Sequence, residues 1–262
     1  MTVIDVRGVP RALFGSSAAR VAELTAWDAT IRRPIGAVRR IGFVQLGSGV
    51  GGTSLAREVL RVVSVRRALP PLAVDASESG ALARSLGIEP TMTREHRAFR
   101  TSAEALAGLE RGPHGEWAMR PASAPTDAVE AWIDEVSPVT RFFEVAVTDF
   151  GPRHPHVDLA PAAALCEAVC IVSIADRGQA EIAHSMAQAI AELPERPEVV
   201  LALTDLGAPP RRVPETVGAF SASPVVHVPR DLGLARGSAA LTVAAREALL
   251  ELTALLIGGA RR

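Results

Sequence analysis

Short apolar runs of strand length alternate with helix-like stretches along most of this 262-residue chain. Runs such as 41–46 and 168–174 are apolar at every position except Gln45 and Ser173, as expected of strands buried on both faces of a sheet. Alternation of strands and helices at these spacings is typical of a parallel sheet covered on both sides. We therefore predict an α/β fold with a three-layer, doubly wound, mostly parallel sheet.

The pattern predicts six strands and eight helices. The strands are expected at 41–46, 69–75, 141–149, 168–174, 199–204 and 225–229. The helices are expected at 17–28, 53–65, 78–86, 103–109, 127–136, 160–166, 177–192 and 238–257. Residues 1–16 are interpreted as an N-terminal arm and residues 17–262 as a single domain. The irregular stretch 88–125 is interpreted as a surface excursion between helices.

Helical periodicity also predicts which helix faces are buried. For the first helix the packing face is predicted to hold Ala18, Val21, Leu24 and Thr25. For the helix 177–192 it is predicted to hold Ile182, Met186, Ala189 and Ile190. The last helix is predicted to cover the sheet rather than lie on a membrane.

A glycine-rich stretch joins the first predicted strand to its helix. Strand, glycine loop and helix in this order are the layout of a phosphate-binding loop, in which backbone N–H groups and a helix N-terminus face an anion. The candidate phosphate-binding residues are the eight of this stretch, Gly47, Ser48, Gly49, Val50, Gly51, Gly52, Thr53 and Ser54. The sequence therefore predicts a site for a nucleotide such as ATP or ADP.

The loop lacks the cation that such a site normally carries. The usual pattern ends in Gly-Lys followed by Ser or Thr. With Gly51 and Thr53 in register, Gly52 stands at the lysine position, and the chain contains no lysine at all. Loss of one positive charge at a dry phosphate site costs several kcal/mol of binding or of transition-state stabilisation.

Two acids are predicted at the carboxyl ends of strands, where ligands bind in parallel α/β sheets. Asp75 ends the second predicted strand and Asp149 the third. In a working site, Thr53 and Asp149 would hold Mg²⁺ and Asp75 would orient the attacking water. The alternative for each acid is a structural role as a helix N-cap.

Composition narrows the function classes. The formal net charge of −1 argues against nucleic-acid binding by bulk charge. Two cysteines provide no disulfide framework, so we expect a reducing cytoplasm. The charged N-terminus does not resemble a signal peptide. No uninterrupted apolar run reaches the roughly 18 residues of a membrane span.

Two further groups of residues have weaker chemical signals. His154, His156 and Asp158 lie close together, but their spacing matches no metal-site pattern, so we interpret them as a polar loop. Cys166 and Cys170 are interpreted as buried thiols.

Over about residues 17–262 the chain resembles the MinD/ParA-type P-loop ATPases, most closely the MinD-like proteins associated with actinobacterial type VII secretion. The family loop reads K-G-G-x-G-K-T-[ST], and its two lysines correspond to Gly47 and Gly52 here. The stretches that carry the resemblance are 32–34, 38–40, 47–54, 72–76, 147–151 and 228–232. The resemblance implies phosphate- or Mg-site roles for Gly49, Gly51, Thr53, Asp75 and Asp149.

The missing lysines lead to a pseudo-ATPase hypothesis, in which the scaffold acts by binding another protein. The resemblance implies a partner in a secretion or membrane-associated apparatus, and a homodimer is an open alternative. The rival hypothesis is an active or nucleotide-gated ATPase that uses an arginine in place of the lysine. The arginines considered for this role are Arg39, Arg40, Arg57 and Arg153.

Overall fold

The structure, a computed structural model, describes residues 17–88, 99–122, 127–153, 159–207, 213–237 and 240–259. The strands in these segments are β1 (Arg39–Gln45), β2 (Leu72–Asp75), β3 (Glu110–Arg111), β4 (Trp117–Met119), β5 (Val145–Pro152), β6 (Ala168–Ile174), β7 (Glu198–Thr204) and β8 (Val225–Val228). They form one eight-stranded sheet in the order β3-β4-β2-β5-β1-β6-β7-β8. All neighbours are parallel except β3 and β4.

Helices cover both faces of this sheet, which confirms the predicted three-layer α/β fold. The helices are α1 (Ser17–Arg32), α2 (Gly52–Arg66), α3 (Ala81–Leu86), α4 (Ser102–Leu106), α5 (Ala128–Ala131), α6 (Ser137–Thr140), α7 (Leu159–Ala164), α8 (Arg177–Ala191), α9 (Val213–Phe220), α10 (Leu232–Arg236) and α11 (Val243–Gly258), with a π-helical turn at Trp132–Val136. The apolar core on one face includes α2, α3 and α11. The core on the other includes the helical segment from α5 to α6 together with α7, α8 and α9.

Strand β1 lies near the middle of the sheet, between β5 and β6. Its last five residues, 41–45, are buried, because helices pack on both faces. The loop that follows β1 therefore emerges at the centre of the carboxyl edge, where parallel sheets bind ligands.

Helix α1 packs on α2 and α11, through a different face from the predicted one. Ile31 is buried, and Leu24 and Trp27 pack around it against Val62 and Leu250. Ala18, Val21 and Thr25 are exposed, so that part of the prediction is wrong. In α8 likewise, Met186 and Ile190 are buried as predicted, whereas Ile182 and Ala189 are exposed.

The stretch 88–125 contributes more than a surface excursion, among its described residues. Strand β4 extends the sheet beside β2, and β3 folds back on β4 as an antiparallel edge. Ala118 and Met119 are buried in the sheet. Two-residue and three-residue strands have too little alternation to be recognised from sequence.

The carboxyl-terminal helix, α11, covers the sheet as predicted. Leu249, Leu252 and Leu256 are buried against the sheet face that also packs α2. Within the described segments, no helix is both long and apolar enough to span a membrane. The predicted arm, residues 1–16, lies outside the described residues.

Candidate functional site

The glycine loop turns directly into helix α2. Gly49 has φ +76° and Gly51 has φ +95°, in the left-handed region that favours glycine. Gly51 is the N-cap of α2 and provides no side-chain cap, and the first turn of α2 contains no acid. The N–H groups of that turn therefore face the loop without a side-chain acceptor, which is the arrangement an anion occupies at a helix N-terminus.

A side chain from β7 holds the loop in place. Thr204 Oγ1 lies 2.8 Å from the carbonyl oxygen of Val50 and 3.1 Å from that of Ser173. Val50 is itself buried. The middle of the loop is thus attached to the carboxyl end of the sheet by a hydroxyl that sequence analysis did not identify.

The space where a lysine side chain at position 52 would begin is filled by Gln45. A Cβ placed on Gly52 would lie 2.8 Å from Gln45 Nε2 and still closer to Gln45 Cγ and Cδ. Position 47, the other lysine position, is different, since a Cβ there would meet only Val50 Cγ1 at 3.8 Å. A side chain at Gly52 therefore requires Gln45 to move, whereas a side chain at Gly47 does not.

Thr53 and Asp149 are brought together, as the magnesium hypothesis requires. Thr53 Oγ1 donates to Asp149 Oδ2 at 2.6 Å, and the Gly151 N–H donates to Asp149 Oδ1 at 2.9 Å. Gln45 Nε2 lies 3.4 Å from both Thr53 Oγ1 and Asp149 Oδ1. The Gln45 amide thus approaches the two residues between which a cation is expected.

Burial controls the protonation of Asp149. Desolvation raises its pKa to about 6, although hydrogen bonds from Thr53 and Gly151 oppose the shift, and the charge of Asp75 adds to it. At neutral pH the carboxylate form predominates. Hydroxyl and carboxylate oxygens suit Mg²⁺, so Thr53 and Asp149 fit this metal, which would supply charge to nucleotide phosphates when bound.

Asp149 does not end its strand, contrary to the sequence prediction. β5 continues to Pro152, and its register against β1 shifts between Phe43 and Val44 so that Phe150 has no partner there. Gly151 has φ +70° at this irregularity. The shift brings the Gly151 N–H onto the Asp149 carboxylate.

Asp75 ends β2 as predicted, but its carboxylate accepts hydrogen bonds from the residues that follow it in the chain. Oδ1 accepts hydrogen bonds from the N–H of Ser77 at 3.0 Å and from the Ser77 hydroxyl at 2.5 Å. Oδ2 accepts from the N–H of Ala83 at 2.7 Å. These bonds hold the turn that enters α3. The N-cap of α3 is Gly80, so Asp75 supports the start of this helix without being its N-cap, and the role in orienting water stays a prediction.

Two of the four candidate arginines lie far from the loop. Arg39 and Arg40 stand at the start of β1, at the opposite end from the loop, and pair with Glu198 and Glu167. Because of this separation, their proposed role is wrong.

Arg57 and Arg153 donate to backbone oxygens. Arg57 lies 2.8 Å from the carbonyl oxygen of Leu234. Arg153 donates to the carbonyl oxygens of Phe150 at 2.9 Å and Ala76 at 3.2 Å. Both guanidinium groups are therefore engaged in joining neighbouring segments.

A cavity of about 420 Å³ opens beside the loop, between β7, β8 and α10. Its walls include Gly52, Thr53, Asp205 and Leu206, and one cation, Arg230. Arg230 is exposed, and no hydrogen bond or ion pair to its side chain is seen among the described residues. The place of Arg230 directly after the last predicted strand is a sequence signal for a position at this edge of the sheet.

The remaining candidates do not add a metal centre. Cys166 and Cys170 are free and buried as predicted, and burial raises the pKa of the Cys166 thiol to about 12. The described segments contain no group of three or more His, Cys, Asp or Glu residues arranged to hold a metal. His154, His156 and Asp158 lie outside the described residues.

A central strand, a glycine loop and an uncapped helix N-terminus, with a hydroxyl and an acid beside them, define a P-loop NTPase-type fold. Similar solved structures place it more closely. A ParA family ATPase from Chlorobium tepidum is 19% identical with a TM-score of 0.58, over 83% of this chain and 99% of that one.

Two further structures agree. MinD in the MinC:MinD complex of Aquifex aeolicus is 14% identical with a TM-score of 0.57, over 86% of this chain and 98% of that one. A putative plasmid partition protein from Borrelia burgdorferi, bound to AMPPNP, is 13% identical with a TM-score of 0.60, over 84% and 98%. The chain has the fold of the MinD/ParA-type ATPases. No protein-family model and no curated protein sequence matches it.

Proposed function

We propose that this chain is a pseudo-ATPase: a MinD/ParA-like scaffold that no longer hydrolyses ATP and acts by binding another protein. The observation that carries the proposal is the Gln45 side chain lying where a lysine at position 52 would begin. A buried amide there supplies no charge to a phosphate. Without this cation, the binding of nucleotide phosphates or of the transition state is weakened by several kcal/mol.

The arginines support the same proposal. Arg57 and Arg153 donate to backbone carbonyls, and Arg39 and Arg40 lie at the far end of the sheet. An arginine that replaced the lysine would have to leave such contacts, and its rigid fork does not reproduce the position of a lysine ammonium.

Binding to a protein partner would explain why the chain keeps this fold even though it does not hydrolyse ATP. The MinD of Aquifex aeolicus forms a complex with MinC, so this fold presents surfaces for partner proteins. In this chain, Leu206 and Leu232 are 56% and 57% exposed beside the cavity, which provides apolar contact area at its mouth. The sequence resemblance makes a type VII secretion apparatus the class of partner to test first.

Titration calorimetry with ATP and ADP, with and without Mg²⁺, tests this proposal on the full chain. We expect no binding at millimolar nucleotide. Micromolar affinity, about −8 kcal/mol, together with Mg²⁺-dependent turnover that Thr53→Ala abolishes, would overturn it.

A nucleotide-gated protein is the second candidate, and Arg230 is the observation that favours it. Its guanidinium lies in the wall of the same cavity as the loop and is not used elsewhere among the described residues. On this alternative, binding is retained and Arg230→Ala weakens it at least tenfold. Equal affinity in the wild type and Arg230→Ala would exclude Arg230 as the replacement cation.

A further inference from the structure

A second cavity, of about 140 Å³, lies between α2 and α11, away from the glycine loop. Three arginines stand in its wall, Arg61, Arg66 and Arg246. Val62, Leu249 and Leu250 form a buried apolar wall, and Val65 is 70% exposed at its edge. Arg61 lies eight residues beyond Thr53 on α2, or about 12 Å along the helix axis, so the cavity is separate from the loop.

The arginine side chains keep most of their hydrogen-bond donors unused. Arg61 pairs with Glu58 through Nε at 2.7 Å, and Arg66 pairs with Asp28 through Nε at 2.9 Å. Among the described residues, the terminal nitrogens of both arginines have no acceptor, and the side chain of Arg246 has no ion pair or hydrogen bond. Each guanidinium carries five N–H donors in a rigid fork.

Positive charge exceeds negative charge around this cavity. Glu58 also contacts Arg57, and Asp28 also pairs with Arg32. These two carboxylates are thus shared among four arginines, and Arg246 adds a fifth positive charge without a carboxylate partner among the described residues. Glu247, its neighbour on α11, is paired with Arg20 of α1. An apolar wall next to these guanidinium groups strengthens their attraction for an anion, because the local dielectric is lower than in water.

We propose that this cavity binds a phosphate group. Three arginines with free terminal nitrogens can donate several charge-assisted hydrogen bonds to the oxygens of one phosphoryl group, as arginine clusters do in phosphate recognition. The excess of positive charge favours an anion, and the planar fork of arginine matches phosphoryl oxygens bidentately. A free phosphate and the phosphodiester of a phospholipid headgroup share anionic phosphoryl oxygens, and the exposed Val65 provides apolar surface at the edge of the cavity.

The test begins with calorimetric titration of the full chain with inorganic phosphate, and with acetate at matched ionic strength. The variants are Arg246→Glu, Arg246→Lys, Thr53→Ala and Arg177→Glu. Arg177 lies on α8, its side chain is 85% exposed and it pairs only with Glu181 there, so its replacement makes the same change in net charge elsewhere. Thermal unfolding checks that every variant folds.

The proposal predicts saturable phosphate binding that Arg246→Glu weakens at least tenfold, while Arg246→Lys retains part of it and Arg177→Glu leaves it unchanged. Loss in Thr53→Ala but not in Arg246→Glu would place the anion on the glycine loop and overturn the proposal. If acetate bound as tightly as phosphate, the proposal that the cavity selects a phosphate group would be wrong.

Vesicle flotation separates the two sources of phosphate. Vesicles of phosphatidylglycerol and phosphatidylcholine in equal parts are compared with phosphatidylcholine alone. Arg246-dependent flotation on the anionic vesicles identifies a lipid headgroup, and calorimetric binding without flotation identifies a free phosphate. No binding in either assay, or equal losses in Arg246→Glu and Arg177→Glu, would overturn the site.

Discussion

The side chain of Gln45 lies over the Cα of Gly52, in the space that a longer residue at position 52 would need. The two positions come together because the loop 46–51 connects the last residue of β1 to the first residue of α2. From there the Gln45 amide approaches Thr53 and Asp149. The absence of a lysine is therefore accompanied by a side chain that fills its place.

Restoring the lysine alone is expected to destabilise the protein. In Gly52→Lys the new side chain displaces the buried Gln45, at a cost of about 1–3 kcal/mol. Gln45→Ala combined with Gly52→Lys should recover stability beyond the sum of the single changes, as a double-mutant cycle of urea unfolding would show.

Gly47→Lys is the matched control for this cycle. Its position is open in the structure, so its unfolding free energy should stay within about 0.5 kcal/mol of wild type. If Gly52→Lys were as stable as Gly47→Lys, the packing of Gln45 would not exclude a lysine.

The buried carboxyl of Asp149 predicts a specific pH dependence of stability. Its native pKa is about 6, against an unfolded value of about 4. Between these values the native state binds more protons, so the unfolding free energy falls as pH rises through this window. From pH 5 to pH 7.5, wild type should lose about 1.4 kcal/mol relative to Asp149→Asn.

Urea unfolding of wild type and Asp149→Asn at both pH values measures this loss. Taking the difference between the two proteins cancels the titration of the other groups. Parallel changes in the two proteins would mean that Asp149 titrates with an ordinary pKa.

Asp75→Ala is expected to be costly whether or not the protein binds nucleotide. Removal of the carboxylate leaves the buried N–H groups of Ser77 and Ala83 without their acceptor. We expect this change to lower the unfolding free energy by about 3 kcal/mol. Asp176→Ala, which removes the half-buried N-cap of α8, should cost about 1 kcal/mol. Chemical denaturation compares the two variants, and similar small losses would contradict a structural role for Asp75.

Thr204 is predicted to control the order of the glycine loop. Thr204→Val removes the hydrogen bond to the Val50 carbonyl with little change in side-chain volume. We expect it to lower the unfolding free energy by about 1 kcal/mol. Hydrogen exchange of residues 47–51 should become faster. Thr253→Val, which removes a buried hydroxyl bonded within α11, is the control and should leave the loop unchanged. Unaltered loop exchange in Thr204→Val would exclude this role.

The parts of the fold that sequence predicted well are those with strong local signals. Strand β6 was predicted at its observed limits, and α2 to within a residue at its end. Helices α9 and α10 were missed. Strands β3 and β4 were missed as well, because strands of two and three residues are too short to show alternation. The face of α1 was misjudged because its burial depends on contacts with α2 and α11.

In the candidate site, too, some features follow from local sequence and others only from tertiary structure. By itself the sequence determined the α/β class, the glycine loop, the empty lysine position and the two acids, because each is a local pattern of residue types along one stretch. Only the tertiary structure decided that Gln45 fills the space at Gly52, that Asp75 is bonded to its own turn, and that Arg230 shares the cavity with the loop. These relations join residues from separate elements, and packing of the whole sheet sets the distances between them.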